Sequence, residues 1–226
     1  MSLKEIPSEV EKELTKYPPL TKRLLFNRGI LSAEEADAFL SPVYERDIND
    51  PFLMMNLEKG VDQIYAAIRA DEKICIFADY DCDGIPGAVM WDDFFKKIKF
   101  SNYQIYIPDR HKEGYGLGIE SIKEIYDGRA KLLITLDLGI TAVEEVQYAK
   151  TLGLPIIITD HHLPQEKVPD TLIINPKQKG DTYPDNMLCG SGVALKVIQG
   201  FIKKYGAEFE IPVGFDKWLL DMAGLA

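Results

Sequence analysis

Apolar and polar positions follow two rhythms along this chain, and the change between them divides it. Up to about residue 70 the apolar positions recur at helical spacing. Glu5 to Lys16 is amphipathic, Pro18-Pro19 interrupts it, and Leu20 to Arg28 resumes. Ser32, with Glu35 three positions later, forms a capping box that predicts a helix over Ala33 to Leu40, which Ser41-Pro42 stops. The stripe Leu57, Val61, Ile64, Tyr65 and Ile68 predicts a longer helix over Asn56 to Ala70. From Lys73 onward, short unbroken apolar runs alternate with helical stretches. The runs Lys73 to Ala78, Lys131 to Leu136 and Leu154 to Thr159 read as strands buried on both faces, and Tyr103 to Ile107 and Thr171 to Ile174 as further strands. Helices are predicted over Gly84 to Lys97, Ile119 to Tyr126, Thr141 to Leu152 (ended by Gly153), about Gly192 to Tyr205, and from Phe215 onward. The expected fold is therefore α/β: a mostly parallel sheet flanked by helices on both faces over residues 71–226, preceded by a helical N-terminal extension over 1–70.

The three unbroken runs share a second property. The first ends in Asp79-Tyr80-Asp81-Cys82-Asp83-Gly84, the second in Asp137-Leu138-Gly139 and the third in Asp160-His161-His162. Carboxyl ends of strands are where open α/β sheets bind ligands. One aspartate at a turn is an ordinary solvated residue, but five of them with a histidine pair at three buried strand ends repel one another unless cations lie between them. Asp79, Asp81 and Asp83 alternate, so an extended chain would set all three on one face. A calcium loop does not fit, because a strand leads in and no glutamate closes the loop. The donor set is rich in oxygen, carries some imidazole and lacks a well-placed thiolate. That favours Mn²⁺ or Mg²⁺ over structural Zn²⁺, and two such ions suit in-line attack of water on a phosphodiester.

Composition modifies this picture little. The formal net charge of −10, from 26 basic and 36 acidic residues, argues against a broad non-specific nucleic-acid surface. Three cysteines without CxxC spacing indicate neither a disulfide framework nor a zinc ribbon, so a reducing cytoplasm is expected. No apolar run approaches the length of a membrane span, and no membrane association is expected. All three histidines, His111, His161 and His162, lie in candidate motifs.

Two further segments read as phosphate or nucleotide contacts. Asp109 to Leu117 gathers Arg110, His111, Lys112 and a Gly114-Tyr115-Gly116 turn. It is either a solvated basic loop or a place where Arg110 grips a phosphate while Tyr115 stacks on a base or sugar. Cys189-Gly190-Ser191-Gly192 opens an apolar helix, either as a glycine-assisted start or as an anion site at a helix N-terminus that includes Ser191 and Gly192.

Together, Asp79 to Gly84, Asp137-Leu138-Gly139, Asp160-His161-His162 and Gly190-Ser191-Gly192-Val193-Ala194 resemble the successive motifs of the DHH phosphoesterase superfamily. The Arg110 to Leu117 loop and Asn27-Arg28-Gly29-Ile30 are similar to its RecJ branch of single-stranded-DNA-specific exonucleases. The resemblance runs from about residue 20 to the end. It implies a hydrolase using Mn²⁺ or Mg²⁺, two ions in all, to degrade single-stranded DNA 5′→3′ in recombination and repair. It also implies that a helicase or single-strand-binding protein works alongside. Carried over motif by motif, Asp81, Asp83, Asp137 and His161 would be metal ligands. Asp79, Asp160 and His162 would support catalysis, His162 meeting the scissile phosphate, and Arg110 would contact DNA phosphate.

The chain departs from that pattern at Ile85-Pro86-Gly87, where a small hydroxyl residue is usual, and at His111, where an apolar or aromatic residue is usual. Asp221 to Ala226 resembles only the opening of a fourth motif, so the chain is expected to be the N-terminal catalytic part of a longer enzyme. Two other readings compete: a DHH phosphodiesterase for cyclic dinucleotides or short oligoribonucleotides, and a non-catalytic relative serving as a replication-factor scaffold.

Overall fold

A computed structural model of the chain describes residues 5–111, 114–224 and 226. It divides into two compact units, residues 1–50 and 51–226. The first holds helices α1 (Ser8–Glu13), α2 (Pro19–Asn27), α3 (Ala33–Leu40) and α4 (Tyr44–Asp47), with a small core of Leu14, Leu25 and Ala36 against which Val10, Tyr17 and Ile30 pack. The capping box forms as the sequence requires: Ser32 Oγ accepts from Glu35 N–H at 3.2 Å, and Glu35 Oε2 accepts from Ser32 N–H at 3.1 Å. The first helix stops at Glu13 rather than Lys16. There the Thr15 hydroxyl donates to the carbonyls of Glu11 and Lys12, diverting the last turn.

The second unit opens with a 3-10 turn, Pro51–Leu53, and α5 (Leu57–Arg69). It continues through β1 (Ile74–Ala78), α6 (Gly84–Lys97), β2 (Tyr103–Tyr106), α7 (Ile119–Asp127), β3 (Leu132–Leu136), α8 (Val143–Leu152), β4 (Ile156–Thr159), β5 (Leu172–Ile174), α9 (Gly190–Tyr205) and α10 (Phe215–Ala223). Its boundary lies before α5, not after it. The apolar stripe of α5 packs on α9, and Gly60 brings α5 close against Leu172 and Ile174 of β5. Every strand pair is parallel, in the order β2-β1-β3-β4-β5.

The unbroken apolar runs are explained by two cores, one on each sheet face. Ile74, Ile76, Ala78, Leu132, Ile134 and Leu136 point to the core built with α5, α6, α9 and α10. Cys75, Phe77, Leu133, Ile156 and Ile158 point to the core built with α7 and α8. Alternate residues of one strand thus serve opposite layers. The polar side chains within β3 and β4, Thr135 and Thr159, are buried with their hydroxyls donating to the carbonyls of Leu138 and Thr135, respectively. Helix α9 lies deepest, buried at every position from Gly190 to Phe201. Among the described residues, no helix is long and apolar enough to cross a membrane.

The strand order places the candidate motifs side by side. The chain leaves β1 for β2 on one side, then returns to β3 on the other, so the connections diverge between β1 and β3. A crevice forms at such a switch point, outside the carboxyl ends of the strands. Asp79 ends β1, Asp137 ends β3, and Asp160 ends the adjoining β4.

Helix α8 ends as its sequence predicts, with Gly153 left-handed at φ 71°. Nothing surrounds the position where a methyl group would go, so Gly153→Ala carries only backbone strain. It should cost about 1 kcal/mol, read as a fall of roughly 2–4 °C in thermal melting.

Candidate metal centre

Each motif reaches the crevice by a different local device. After Ala78 the chain turns at once instead of staying extended. Asp81 Oδ1 accepts from the N–H groups of Asp83 (3.3 Å) and Gly84 (3.0 Å), folding residues 81–84 into the start of α6. The three carboxylates are therefore gathered by a turn and not by strand alternation. A side chain at Gly84 would overlap the Asp79 carbonyl, so the turn requires glycine. Asp83 then sits as the N-cap residue of α6, and its Oδ2 accepts from Gly190 N–H at 2.8 Å. The N-termini of two helices, α6 and α9, thus face the same carboxylates, and their positive ends offset part of the negative charge.

Asp137 is the most constrained member. It is fully buried and its backbone is left-handed, φ 67°, a conformation that costs a non-glycine residue free energy. Its N–H donates to Thr159 O at 3.0 Å, fixing it to β4. Neither carboxylate oxygen accepts a well-aligned hydrogen bond among the described residues, although His161 Nε2 lies 3.1 Å from Oδ1. Asp79 Oδ2 is likewise buried without a partner. One ligand atom from each of Asp79, Asp81 and Asp137 lies within 4.8 Å of the others, and the same holds for Asp137, His161 and His162. His161 Nε2 is also 3.5 Å from Asp83 Oδ2.

Asp160 organises rather than faces this group. Its Oδ1 accepts from the N–H groups of His161 (2.7 Å) and His162 (3.0 Å) and lies 2.8 Å from His162 Nδ1. Its Oδ2 accepts from Ile140 N–H at 2.8 Å, which ties the loop after β3 to the end of β4 and leaves α8 to begin at Val143. Asn175, also fully buried, donates from Nδ2 to the His162 carbonyl at 3.0 Å.

The electrostatics follow from burial. Desolvation, with Asp83 and Asp81 beside it, pushes the Asp137 carboxyl up to about 9. Burial also raises Asp79. Asp81 moves the other way: burial opposes ionisation, but the hydrogen bonds from Gly84 and the contact with Asp83 outweigh it. Orphaned buried oxygens, a raised carboxyl and an oxygen-plus-imidazole donor set fit one or more divalent cations, and no thiol joins either group among the described residues.

The remaining candidates sit further out. Arg110 is exposed, its guanidinium 5.4 Å from the centre of the Tyr80 ring, and Tyr80 lies between two of the cluster's aspartates. Tyr115 is exposed at the rim, where burial and then the charges of Asp79, Asp137, Asp160 and Asp81 push its hydroxyl up. His111 is exposed, its N–H donating to Asp109 Oδ1. Lys112 lies outside the described residues. Ser191 is fully buried with Oγ 3.3 Å from Cys189 Sγ, and Gly192 is buried in α9, so the first turn of that helix supports the cluster from within. Gly190, quoted in the Gly190 to Ala194 motif without a role of its own, is the member that touches the cluster: a methyl group there would overlap the Asp137 side chain.

Residues 73–226 match the model of the DHH family, N-terminal domain. The chain belongs to the DHH family. It is 42% identical over 208 residues to the single-stranded-DNA-specific exonuclease RecJ of Bacillus subtilis (strain 168), a match covering 92% of this chain and 25% of that protein. To RecJ of Escherichia coli (strain K12) it is 32% identical over 215 residues, covering 92% of this chain and 36% of that one. This DHH chain thus spans about a third or less of the length of such relatives. Among solved structures it is similar to RecJ in complex with Mn²⁺ from Thermus thermophilus, with TM-score 0.71, 22% identity, and coverage of 95% of this chain and 28% of that one. It also resembles an exonuclease RecJ bound to manganese, with TM-score 0.63 and 24% identity over 75% of this chain and 47% of that one. At those identities the likeness is one of fold.

A carboxyl that ionises near 9 when folded and near 3.8 when unfolded holds its proton more tightly in the native state. The stability it contributes is whole below about pH 4 and is lost as pH rises toward 9. In chelator, Asp137→Asn should therefore melt several degrees above wild type near pH 8 and show a shallower fall with pH. Mn²⁺ should raise the melting temperature of wild type far more than that of the variant. Identical pH slopes in the two proteins would show that Asp137 is not the strained carboxyl.

Proposed function

We propose that this chain carries the catalytic site of a divalent-metal-dependent exonuclease that hydrolyses single-stranded DNA 5′→3′, releasing mononucleotides in recombination and repair. The observation that carries the reading is the convergence of Asp79, Asp81 and Asp137 within 4.8 Å, with neither oxygen of the buried Asp137 carboxylate accepting a hydrogen bond among the described residues. The relatives' shared description as single-stranded-DNA-specific exonucleases supports the substrate, and the manganese named for two similar structures supports the ion.

In this reading Asp81, Asp83, Asp137 and His161 hold Mn²⁺ or Mg²⁺, two ions in all, with Asp79 offering a further oxygen. When bound, such cations supply the positive charge that activates water and offsets charge developing on the phosphate oxygens. Gly190 N–H restrains Asp83 Oδ2, the oxygen that lies 3.5 Å from His161 Nε2. Asp160 engages His162 Nδ1, leaving Nε2 to meet the scissile phosphate or to carry a proton. Arg110, parked beside Tyr80, takes a phosphate bidentately, with Tyr115 and His111 along the strand's path. The first turn of α9, with Ser191 and Gly192, backs the same surface. A helicase or single-strand-binding protein would present the single strand, in the cytoplasm.

Full-length protein should release mononucleotides from 5′-phosphorylated single strands with Mn²⁺ and stop in chelator. Asp137→Ala should lower the rate by at least about 100-fold. A variant as active as wild type removes the metal-centre reading, and a preference for dinucleotides over long strands transfers it to the small-substrate phosphodiesterases.

A further inference from the structure

Beside the metal centre lies a cavity of about 280 Å³ that shares Asp160 and His162 with it. We propose that this cavity receives the base of the nucleotide being released, an inference that rests on the nuclease reading above. Its size falls just under the roughly 300–1,000 Å³ of pockets for drug-sized ligands, which suits one planar group and excludes a stacked strand.

Its walls select the chemistry. Leu117, Leu138 and Ile140 are buried and make the inner surface apolar. Tyr115 stands at the mouth, 63% exposed, offering a ring face to a planar partner. Thr141 and Glu145 supply polar groups for the edge of that partner, the carboxylate accepting from exocyclic amines or ring N–H groups. No lysine or arginine lines the cavity among the described residues, and two carboxylates do, so a phosphate is repelled where a base is admitted. The phosphate therefore stays at the cation side of His162 and the base falls on the other side. The loop is already fixed: Ile140 N–H is held by Asp160, and Ala142 N–H donates to Gly139 O at 3.0 Å. A binding surface set before the ligand arrives loses little entropy on filling.

Strands with an abasic residue at the first or at the second position, compared with the unmodified strand, test the assignment in full-length protein with Mn²⁺. The abasic first residue should raise KM roughly 5- to 150-fold, the range that base–aromatic stacking supplies, with kcat little changed. The abasic second residue should have little effect. Ala142→Leu, which fills the cavity, should raise KM for the unmodified strand and erase the penalty of the abasic first residue, with Mn²⁺ affinity by calorimetry unaltered. Should that buried substitution fail to fold, the exposed Tyr115→Leu should show part of the same non-additivity. Equal KM for unmodified and abasic-first strands overturns the subsite alone, as does a penalty confined to the second position. Failure of wild type to cleave the unmodified strand overturns the nuclease reading and the subsite with it.

Discussion

A carboxylate with nowhere to put its charge sets the terms for the rest of this molecule. Asp137 is fully buried, held in left-handed backbone, pressed by Gly190 and flanked by Asp81 and Asp83, with neither oxygen accepting a well-aligned hydrogen bond among the described residues. Burying an unpaired polar group costs on the order of 1–3 kcal/mol, and more when it is charged. A fold keeps such a residue only when the surroundings over-determine it. Here they do: its N–H is fixed to Thr159 in the ladder, and Gly190 belongs to a helix sunk in the core as far as Phe201. The chain contains the strain through rigid elements and leaves its relief to a cation.

The same rigidity explains why the site lies where it does. Asp137 after β3 lies within 4.8 Å of ligand atoms from the β1 motif in one group and from the β4 motif in another, which needs adjacent strand ends, and a parallel sheet with side chains buried on both faces supplies that. The divergence of connections between β1 and β3 opens space for the turn at Asp81–Gly84 without displacing α6. Two helix N-termini then meet the crevice, one at Asp83 and one at Gly190, so part of the electrostatic compensation is built from backbone and survives any side-chain rearrangement.

Much of this was legible in the sequence because the physics involved is local or periodic. The capping box at Ser32 and Glu35, the left-handed Gly153, the start of α6 at Gly84 and that of α10 at Phe215 are each set by a few neighbouring residues. The nearness of Asp137 to Asp79 and Asp81 in one group and to His161 in another was also readable, since strand ends in a parallel sheet converge by topology, whereas Asp83, read as a ligand, belongs to neither group. What sequence could not show was long-range. The role of Gly190 depends on Asp137, 53 positions earlier in the numbering, and Ser191 points to Cys189 and not outward. Alternation of Asp79, Asp81 and Asp83 suggested one extended face, but hydrogen bonds onto Asp81 made a turn the better solution. Helix α5 read as part of an extension because its amphipathic pattern cannot say which surface it covers. The short α4 and the 3-10 turn carry too few residues for any period to register.

The net charge of −10 is not at odds with a polyanionic substrate once it is placed. Five motif aspartates, Asp79, Asp81, Asp83, Asp137 and Asp160, account for half of it, and all lie at one strand-end crevice. Two divalent cations there would nearly cancel them, turning the most repulsive part of the surface into one that a phosphate can approach. In the proposed reading, attraction for phosphate centres on the crevice and its Arg110 rim. On that reading, charge placement and the cavity next to His162 act in the same sense: cations would hold the phosphate at the aspartates, while a pocket lined by Leu117, Leu138, Ile140, Glu145 and Asp160 would take the uncharged base.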